Sequence, residues 1–279
     1  MTNSNQVSVA HRVDHIEGVY RLRCPVLNYT RAGKPFVRMA LEDLYGSIPA
    51  YLWQPDETEL PLELSCVHVC GKRRFRRDGV VADLDSLAVG VKRPEDIVRL
   101  IPRSLCPLPL LMPFLEALLG HLKNTALRQF LSDVLSDDGI AFPFVSCPAS
   151  LGYHHNYPGG LLRHSIECAQ MIERYQEFAP EKKELGMVAA LFHDIGKTLT
   201  MTPQMGLTSL GRAMDHDKLT LEILAPYLHS LDQGWPEGAA ELRYLLTWRP
   251  GFKDKGFPKT PLANAVLAAD RVSAGIDGV

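Results

Sequence analysis

The 279-residue sequence lacks several features that would assign a chain to a special class of protein. No apolar run approaches the ~18 residues that a membrane-spanning helix needs. The formal net charge of −2 gives no global attraction to nucleic acid, so any such surface must be local. The six cysteines have no regular spacing and no signal-like segment opens the sequence, so we expect a cytoplasmic protein with reduced thiols. These absences leave an ordinary globular protein, and a hydrophobic fraction of 46% is ample for its core.

Alternating apolar residues predict a small β domain over residues 17–92. A polar, unpatterned stretch at 1–16 precedes it and is interpreted as a flexible tail. Five short runs alternate between apolar and polar residues: Val19–Val26, Phe36–Leu41, Ile48–Trp53, Val67–Phe75 and Val80–Leu84. Turn-forming residues separate the runs. Five short strands suit a small closed barrel, and the OB-fold is the five-stranded barrel that binds single strands.

Basic residues are concentrated near the end of the fourth predicted strand. Lys72, Arg73, Arg74 and Arg76 surround Phe75. Basic side chains can follow a phosphate backbone, and an exposed aromatic ring can stack a base. The cluster therefore predicts a surface that binds single-stranded nucleic acid. The alternative is a solvated edge strand, because lysine and arginine commonly protect sheet edges.

Two other features of the predicted barrel are interpreted as parts of its core. Phe36 and Trp53 are expected inside the barrel rather than as stacking platforms. Cys66, His68 and Cys70 are residue types that bind zinc, but they alternate along one strand. Alternation of this kind favours a buried strand over a metal site.

Helical patterns occupy the rest of the sequence. Residues 93–145 predict a proline-punctuated linker followed by helices, and residues 146–279 predict an all-helical domain. The apolar run Leu185–Phe192 is typical of a helix buried almost all round, and we expect Gly196 to end it in a left-handed conformation. On the helix predicted from Leu161, spacings of three and four residues put His164 on the apolar side, so its imidazole points inward.

His193 and Asp194 place an imidazole and a carboxylate side by side at the end of a buried helix. Neither group belongs in a core unless something positive satisfies it, and a bound metal ion does so well. The alternative is a capped helix end with a solvated His-Asp pair. His164 and Asp270, which lie on separate predicted helices, favour the metal site.

The order His164…His193-Asp194…Asp270 resembles the HD superfamily of metal-dependent phosphohydrolases. The resemblance implies an all-helical HD domain in which these four residues are metal ligands, with His216 as a further ligand in members that hold two ions. It implies one or two divalent transition-metal ions; manganese is expected first, with iron, cobalt, nickel and zinc as alternatives. It also implies that Asp194 orients the attacking water.

Residues around this motif are expected to contact the substrate. Lys197 is a candidate catalytic residue that would hold a phosphate oxygen, although a lysine at a helix end also complements the helix dipole. His154 and His155 would line the substrate entrance, or are ordinary surface residues. Arg249 occurs in a segment where the similar YhaM-type exoribonucleases carry histidines, which puts the second ion in question. Its charge could contact a phosphate instead.

Two groups within the superfamily share further motifs with this sequence. The predicted OB module, combined with His-His-Asn-Tyr at 154–157 and His-Asp-Ile-Gly-Lys at 193–197, is similar to YhaM-type 3′-to-5′ exoribonucleases. Residues 148–164 and 269–273 are similar to the HD domain of MobH-type conjugative relaxases. The first resemblance implies a nuclease, expected to be a 3′-to-5′ exonuclease, that hydrolyses single-stranded RNA or DNA. The alternatives are a relaxase-like or nucleic-acid-binding accessory protein with a weakened metal site, and a nucleotide phosphohydrolase. The sequence leaves the oligomeric state open.

Overall fold

The computed structural model describes residues 6–10, 13–55, 60–77, 79–249 and 260–276. The chain forms two compact units, Met1–Cys106 and Pro107–Val279. The first unit extends beyond the predicted boundary at residue 92 because two buried arginines attach the next segment to the strands. Arg21 Nε donates to the carbonyl of Leu100 at 2.7 Å, and Arg99 Nη2 donates to the carbonyl of Val19 at 3.0 Å.

The first unit is a closed five-stranded barrel. Its strands are β1 His15–Tyr29, β2 Pro35–Asp43, β3 Gly46–Trp53, β4 Cys66–Arg76 and β5 Gly79–Val89. The strand order is β1-β2-β3-β5-β4. Strand β1 pairs with β2 through its second half and with β4 through its first half, which closes the barrel. Strands β3 and β5 are parallel, and the other pairs are antiparallel. This order is that of the OB-fold, a five-stranded Greek-key barrel, so the predicted fold class is confirmed.

The N-terminal segment is part of this unit, so the prediction of a flexible tail over 1–16 is wrong for its described residues. Helix α1 (Val7–Ala10) buries Val7 and Ala10 against the barrel core. The Val7 backbone N–H donates to the carboxylate of Asp43, which is itself buried, at 2.8 Å. The apolar residues Val7, Val9, Ala10 and Val13 form too short and irregular a pattern to predict burial from periodicity.

The strand that carries Cys66, His68 and Cys70 alternates as predicted, but its buried face is the other one. Val67 and Val69 are fully buried, whereas His68 is exposed and both cysteines are partly exposed. The prediction that Cys66, His68 and Cys70 lie on the buried face of the strand is therefore wrong. Valine is the more apolar residue type, and it occupies the inward positions.

The second unit is helical, with one short hairpin. Helices α5, α6 and α11 pack together, and α9 packs on α10 and on α3. None of the described helices is both long and apolar enough to cross a membrane. The elements are α2 Met112–His121, α3 Thr125–Ser136, α4 Asp138–Ser146, α5 Gly160–Glu173, α6 Pro180–Phe192, α7 Lys197–Thr200, β6 Met201–Thr202, β7 Gly206–Leu207, α8 Ser209–Ala213, α9 His216–Gly234, α10 Pro236–Thr247 and α11 Pro261–Ile276.

Helix α6 is the buried centre of this unit. The side chains from Leu185 to Phe192 are all buried, as their apolar character predicts. Gly196 follows the helix in a right-handed conformation, with φ −58°, so the predicted left-handed stop is wrong. The glycine is required for a different reason: a Cβ at this position would lie 2.1 Å from the carbonyl oxygen of His216. This close approach brings the start of α9 against the His193-Asp194 segment.

Candidate metal centre

Three helices bring four of the five predicted metal ligands together. His164 comes from α5, His193 and Asp194 follow the last residue of α6, and Asp270 comes from α11. His164 is fully buried, and His193 and Asp194 are about 5% exposed. Asp270 is partly exposed and is the most open of the four.

The ligand atoms of these residues converge on one point. His164 Nε2 lies 3.2 Å from His193 Nε2 and 3.2 Å from Asp270 Oδ1. Asp194 Oδ2 lies 3.6 Å from His164 Nε2 and 3.5 Å from His193 Nε2. All four donor atoms are within 4.8 Å of one another. The predicted grouping of His164, His193, Asp194 and Asp270 is therefore what the fold assembles.

The chemistry of this donor set fits a divalent transition metal. His193 Nδ1 donates to the carbonyl of Ala190 at 2.8 Å, and His164 Nδ1 lies 2.9 Å from the hydroxyl of Ser273. When both imidazoles are neutral and carry their proton on Nδ1, as a metal requires, both Nε2 lone pairs face the same point and each other. Two facing lone pairs repel unless a positive group lies between them, and two imidazoles with two carboxylates suit manganese, iron or zinc.

The electrostatics keep both carboxyl groups ionised. Although burial lowers the pKa of His193, Asp194 and Asp270 raise it, so the metal-free site holds a proton on this imidazole. Burial opposes ionisation of Asp194, but protonated His193 and the Lys197 ammonium outweigh it and hold its pKa well below the usual value. Burial also opposes ionisation of Asp270, yet the adjacent His164 and His193 imidazoles lower its pKa. Burial lowers the pKa of His164, which favours the neutral imidazole that a metal requires.

The second oxygen of Asp194 faces a different group. Asp194 Oδ1 lies 3.1 Å from His216 Nε2, at the start of α9, and His216 Nε2 also lies 3.2 Å from Asp217 Oδ1. Although burial lowers the pKa of His216, hydrogen bonds to the two carboxylates raise it to about 9. Arg249 Nη2 donates to Asp217 Oδ1 at 2.8 Å, so this arginine neutralises Asp217. The predicted ligand His216 therefore adjoins the four-residue set through Asp194.

Lys197 is a counter-ion inside the site. Its side chain is buried, and Nζ lies 2.5 Å from Asp194 Oδ2. A buried ammonium in contact with a carboxylate is held in place by that charge. The sequence predicted that Lys197 reaches a phosphate oxygen, whereas the contact that the structure gives it is with Asp194.

His154 and His155 have different environments, although the sequence predicted the same one for both. His154 is partly exposed, and its ring centroid lies 5.0 Å from that of His164. Its Nε2 atom is buried without a hydrogen-bond partner among the described residues. His155 is only 1% exposed and contacts Tyr157 and Glu167, so the prediction that it lines an entrance is wrong. Its φ of +46° lies in the left-handed region.

On the barrel, the predicted basic cluster is partly neutralised. Phe75 is 74% exposed, and the Arg73 guanidinium lies over its ring at 4.8 Å. Arg73 also pairs with Asp14 at 2.7 Å. Arg74 and Arg76 both pair with Asp83, while Lys72 is exposed. The cluster is on the outside, as a binding surface requires, but its net positive charge is smaller than the sequence indicates.

An aromatic surface lies beside this cluster, and the prediction that Phe36 and Trp53 are core residues is wrong. The Phe36 and Trp53 rings stack at 5.0 Å, and Tyr51 stacks on Trp53 at 6.0 Å. Trp53 is 41% exposed and the other two are partly exposed. The Arg76 guanidinium lies 4.2 Å from the Tyr51 ring centre. Val37 and Leu41, on the other face of β2, fill the interior instead.

Three further residues with polar or aromatic contacts at these sites were not predicted from the sequence: Tyr51 in the barrel, and Glu167 and Ser273 in the helical unit. Tyr51 is two residues before Trp53 on β3, so alternation alone puts both on one face. Glu167 follows His164 by three residues, and Ser273 follows Asp270 by the same interval. This spacing places each on the same side of its helix as the ligand. Burial would raise the pKa of Glu167, but hydrogen bonds from His155 and Ser273 keep it below its usual value.

Comparisons with known proteins agree with this geometry. Residues 161–275 match the sequence profile of the HD domain family. The 3′-5′ exoribonuclease YhaM of Shouchella clausii is 23% identical over 280 aligned positions, which cover 96% of this chain and 86% of that protein. The protein of the same name from Bacillus velezensis is 21% identical over 256 positions, covering 89% of this chain and 80% of its own.

Among solved structures, the protein PriB of Ralstonia solanacearum is similar to 28% of this chain at 17% identity, with a TM-score of 0.25. The second OB-fold domain of replication protein A from Methanococcus maripaludis is similar to 29% of it at 18% identity, with a TM-score of 0.23. At such scores the assignment of the barrel depends on its own strand order, which is that of the OB-fold. Residues 161–275 are therefore an HD domain, which follows an N-terminal OB-type barrel in this chain.

Proposed function

We propose that this chain is a metal-dependent phosphodiesterase that removes nucleotides from the 3′ end of single-stranded RNA or DNA. The observation that carries the proposal is the convergence of His164, His193, Asp194 and Asp270, with both imidazoles donating through Nδ1 and presenting Nε2. The names of the relatives from Shouchella clausii and Bacillus velezensis support the reaction and its direction.

These four residues would hold a divalent ion. When bound, such an ion stabilises charge on a phosphoryl oxygen and lowers the pKa of a water molecule towards neutrality. Asp194 would orient the attacking water, and Lys197 keeps that carboxylate in place through its contact with Oδ2. His154, whose buried Nε2 has no partner among the described residues, is available to donate to a phosphate oxygen.

We infer a single ion for each chain. His216 and Asp217 form a second group of possible ligands with Asp194, but the guanidinium of Arg249 already occupies Asp217. The positive charge of Arg249 compensates the negative charge of Asp217, as a second metal cation would. Elemental analysis of protein purified with manganese should find about one ion per chain; a ratio of two would contradict this inference.

The barrel supplies the strand-binding surface in this proposal. The stacked rings of Phe36, Tyr51 and Trp53 offer faces on which bases stack, at roughly 1–3 kcal/mol per base. Lys72 and the arginines around Phe75 lie on the same unit and offer charge to phosphates. A binding protein without activity is the competing function, because this surface needs no metal centre to bind a strand.

A digest of end-labelled single strands with manganese tests the proposal. A 3′-to-5′ exonuclease releases a labelled mononucleotide at once from a 3′-labelled strand and gives a descending ladder from a 5′-labelled strand. His193→Ala should abolish both patterns and the metal content, whereas His229→Ala, at an exposed histidine of α9, should change neither. Mononucleotides should not be hydrolysed. Strand binding without any cleavage by the parent protein would refute the nuclease and favour the binding protein.

A further inference from the structure

A hydrogen-bonded chain of buried side chains leads from the HD site to a carboxylate behind it. The Ser273 hydroxyl donates to Glu167 Oε2 at 2.8 Å and lies 2.9 Å from His164 Nδ1. His155 Nε2 lies 3.1 Å from the same oxygen of Glu167. Ser273 and His164 are fully buried, and His155 is 1% exposed. We propose that Ser273, oriented by Glu167, is a positioning residue that fixes the tautomer of His164 and so presents its Nε2 to the metal.

The direction of each proton follows from the carboxylate. Arg163 Nε donates to Glu167 Oε1 at 3.1 Å, so Glu167 is an ionised acceptor. The single hydroxyl proton of Ser273 therefore points to Glu167, and the serine oxygen can only accept from His164. The Nδ1 atom of His164 must carry the proton. Its Nε2 is left as a lone pair, at the distances from His193 and Asp270 described above.

The two histidines of the site are fixed in different ways. His193 Nδ1 donates to a backbone carbonyl, that of Ala190, which no side-chain substitution removes. His164 depends on a side chain from α11, the helix that also supplies Asp270. A serine adds little apolar packing when it is buried, so its hydroxyl needs hydrogen-bond partners, and Ser273 has them in His164 and Glu167. The orientation of one ligand is thus set by the helix that contributes another.

The substitution Ser273→Ala tests this role, with Ser165→Ala as its matched control. Ser165 is a buried serine on α5, and its hydroxyl has no partner among the described residues. Loss of a side chain that orients a metal-binding histidine typically weakens metal affinity by about 10–100-fold. We expect Ser273→Ala to weaken manganese binding by that factor in titration calorimetry, and Ser165→Ala to leave it unchanged. Glu167→Gln keeps the shape of the side chain and leaves the Ser273 hydroxyl in place, but it removes the negative charge that orients this hydroxyl. We therefore expect a smaller loss of manganese affinity than in Ser273→Ala.

A spectroscopic readout does not depend on metal or activity. In the metal-free protein with ¹⁵N-labelled histidine, His164 should show the pattern of an Nδ1–H tautomer. The resonance is assigned by comparison with His164→Gln. Ser273→Ala should shift His164 towards the Nε2–H form or a mixture, while Ser165→Ala should retain the parent pattern.

The inference rests on the metal site of the proposed function, and the two fail in different ways. A parent protein that binds no manganese would overturn the proposed function together with this role. A parent that binds manganese, but whose Ser273→Ala variant binds it equally well, would overturn only the role of Ser273. An Nε2–H tautomer of His164 in the parent would do the same.

Discussion

The substitution Asp194→Asn should lower both the thermal stability of the protein and its rate of hydrolysis, and the two effects can be measured separately. Asp194 is the buried counter-ion of Lys197, so the substitution leaves an ammonium with 6% exposure beside a neutral amide. Removing one partner of a buried ion pair lowers the free energy of unfolding by about 3–5 kcal/mol. We expect a loss near ~3 kcal/mol here, because the amide oxygen of the new Asn side chain can still accept a hydrogen bond from Lys197. For a helical unit of this size the loss corresponds to a fall in Tm of about 6–12 °C.

The effect on hydrolysis should be larger than instability explains. With the charge of Asp194 gone, the turnover of a single-stranded oligonucleotide with manganese should fall at least ~100-fold, measured well below the Tm of either protein. Glu241→Gln is the matched control: Glu241 is buried and pairs with Lys182 on α6, away from the four ligands, so this variant should lose stability and keep activity.

Combining Asp194→Asn with Lys197→Met sharpens the test. Replacing the remaining buried charge with an apolar side chain of similar length should recover most of the lost Tm, because buried pairs exchanged for apolar residues are often no less stable. Activity should stay low. If turnover returned together with Tm, or if Asp194→Asn alone left turnover intact, the assignment of Asp194 to the chemistry would be wrong.

Three further predictions concern the barrel, the thiols and the response to acid. Replacing Tyr51 and Trp53 together by Ala should weaken single-strand binding by about 1–3 kcal/mol per unstacked base in fluorescence anisotropy, with little change in turnover of a dinucleotide; undiminished binding would exclude the aromatic surface. At pH 8 a thiol reagent should modify the exposed Cys24 rapidly, whereas burial raises the pKa of Cys147 to about 12, so mass spectrometry should find Cys147 labelled only after unfolding. A hydrogen bond from His216 lowers the pKa of Asp217 to about 2. The stability advantage of the metal-free parent over Asp217→Asn should therefore be present above pH 3.8 and decline as the pH falls through 2, and an advantage that was undiminished at pH 2 would contradict this.

Local patterns in the sequence were enough to predict the strands of the barrel and the central helix of the helical unit. The five predicted runs all fall within the five strands of the barrel, because alternation of side chains is a property of the extended chain itself. The run Leu185–Phe192 predicted the buried helix α6 for a similar reason, since its apolar residues leave no polar face. The residue types and order of His164, His193, Asp194 and Asp270 predicted a common site before any distance was known.

Alternation assigns residues to a shared face without saying which face is inside. Phe36 and Trp53 were placed in the core by their hydrophobicity, but closure of the barrel puts Val37 and Leu41 inside and leaves the aromatic rings outside. The same ambiguity affected the strand of His68. A one-position change of register exchanges the two faces, and only the pairing of β1 with both β2 and β4 decides between them.

The sequence by itself determined which residues could bind a metal, and only the tertiary structure decided how each is held. The contacts of His155 with Ser273 and of His164 with Ser273 join residues 118 and 109 positions apart. No local periodicity carries information over such separations, because they depend on how α11 packs against α5. Burial then has a consequence, because a buried donor needs an acceptor. The helix packing that brings Ser273 to His164 therefore also selects the nitrogen of His164 that faces the metal site.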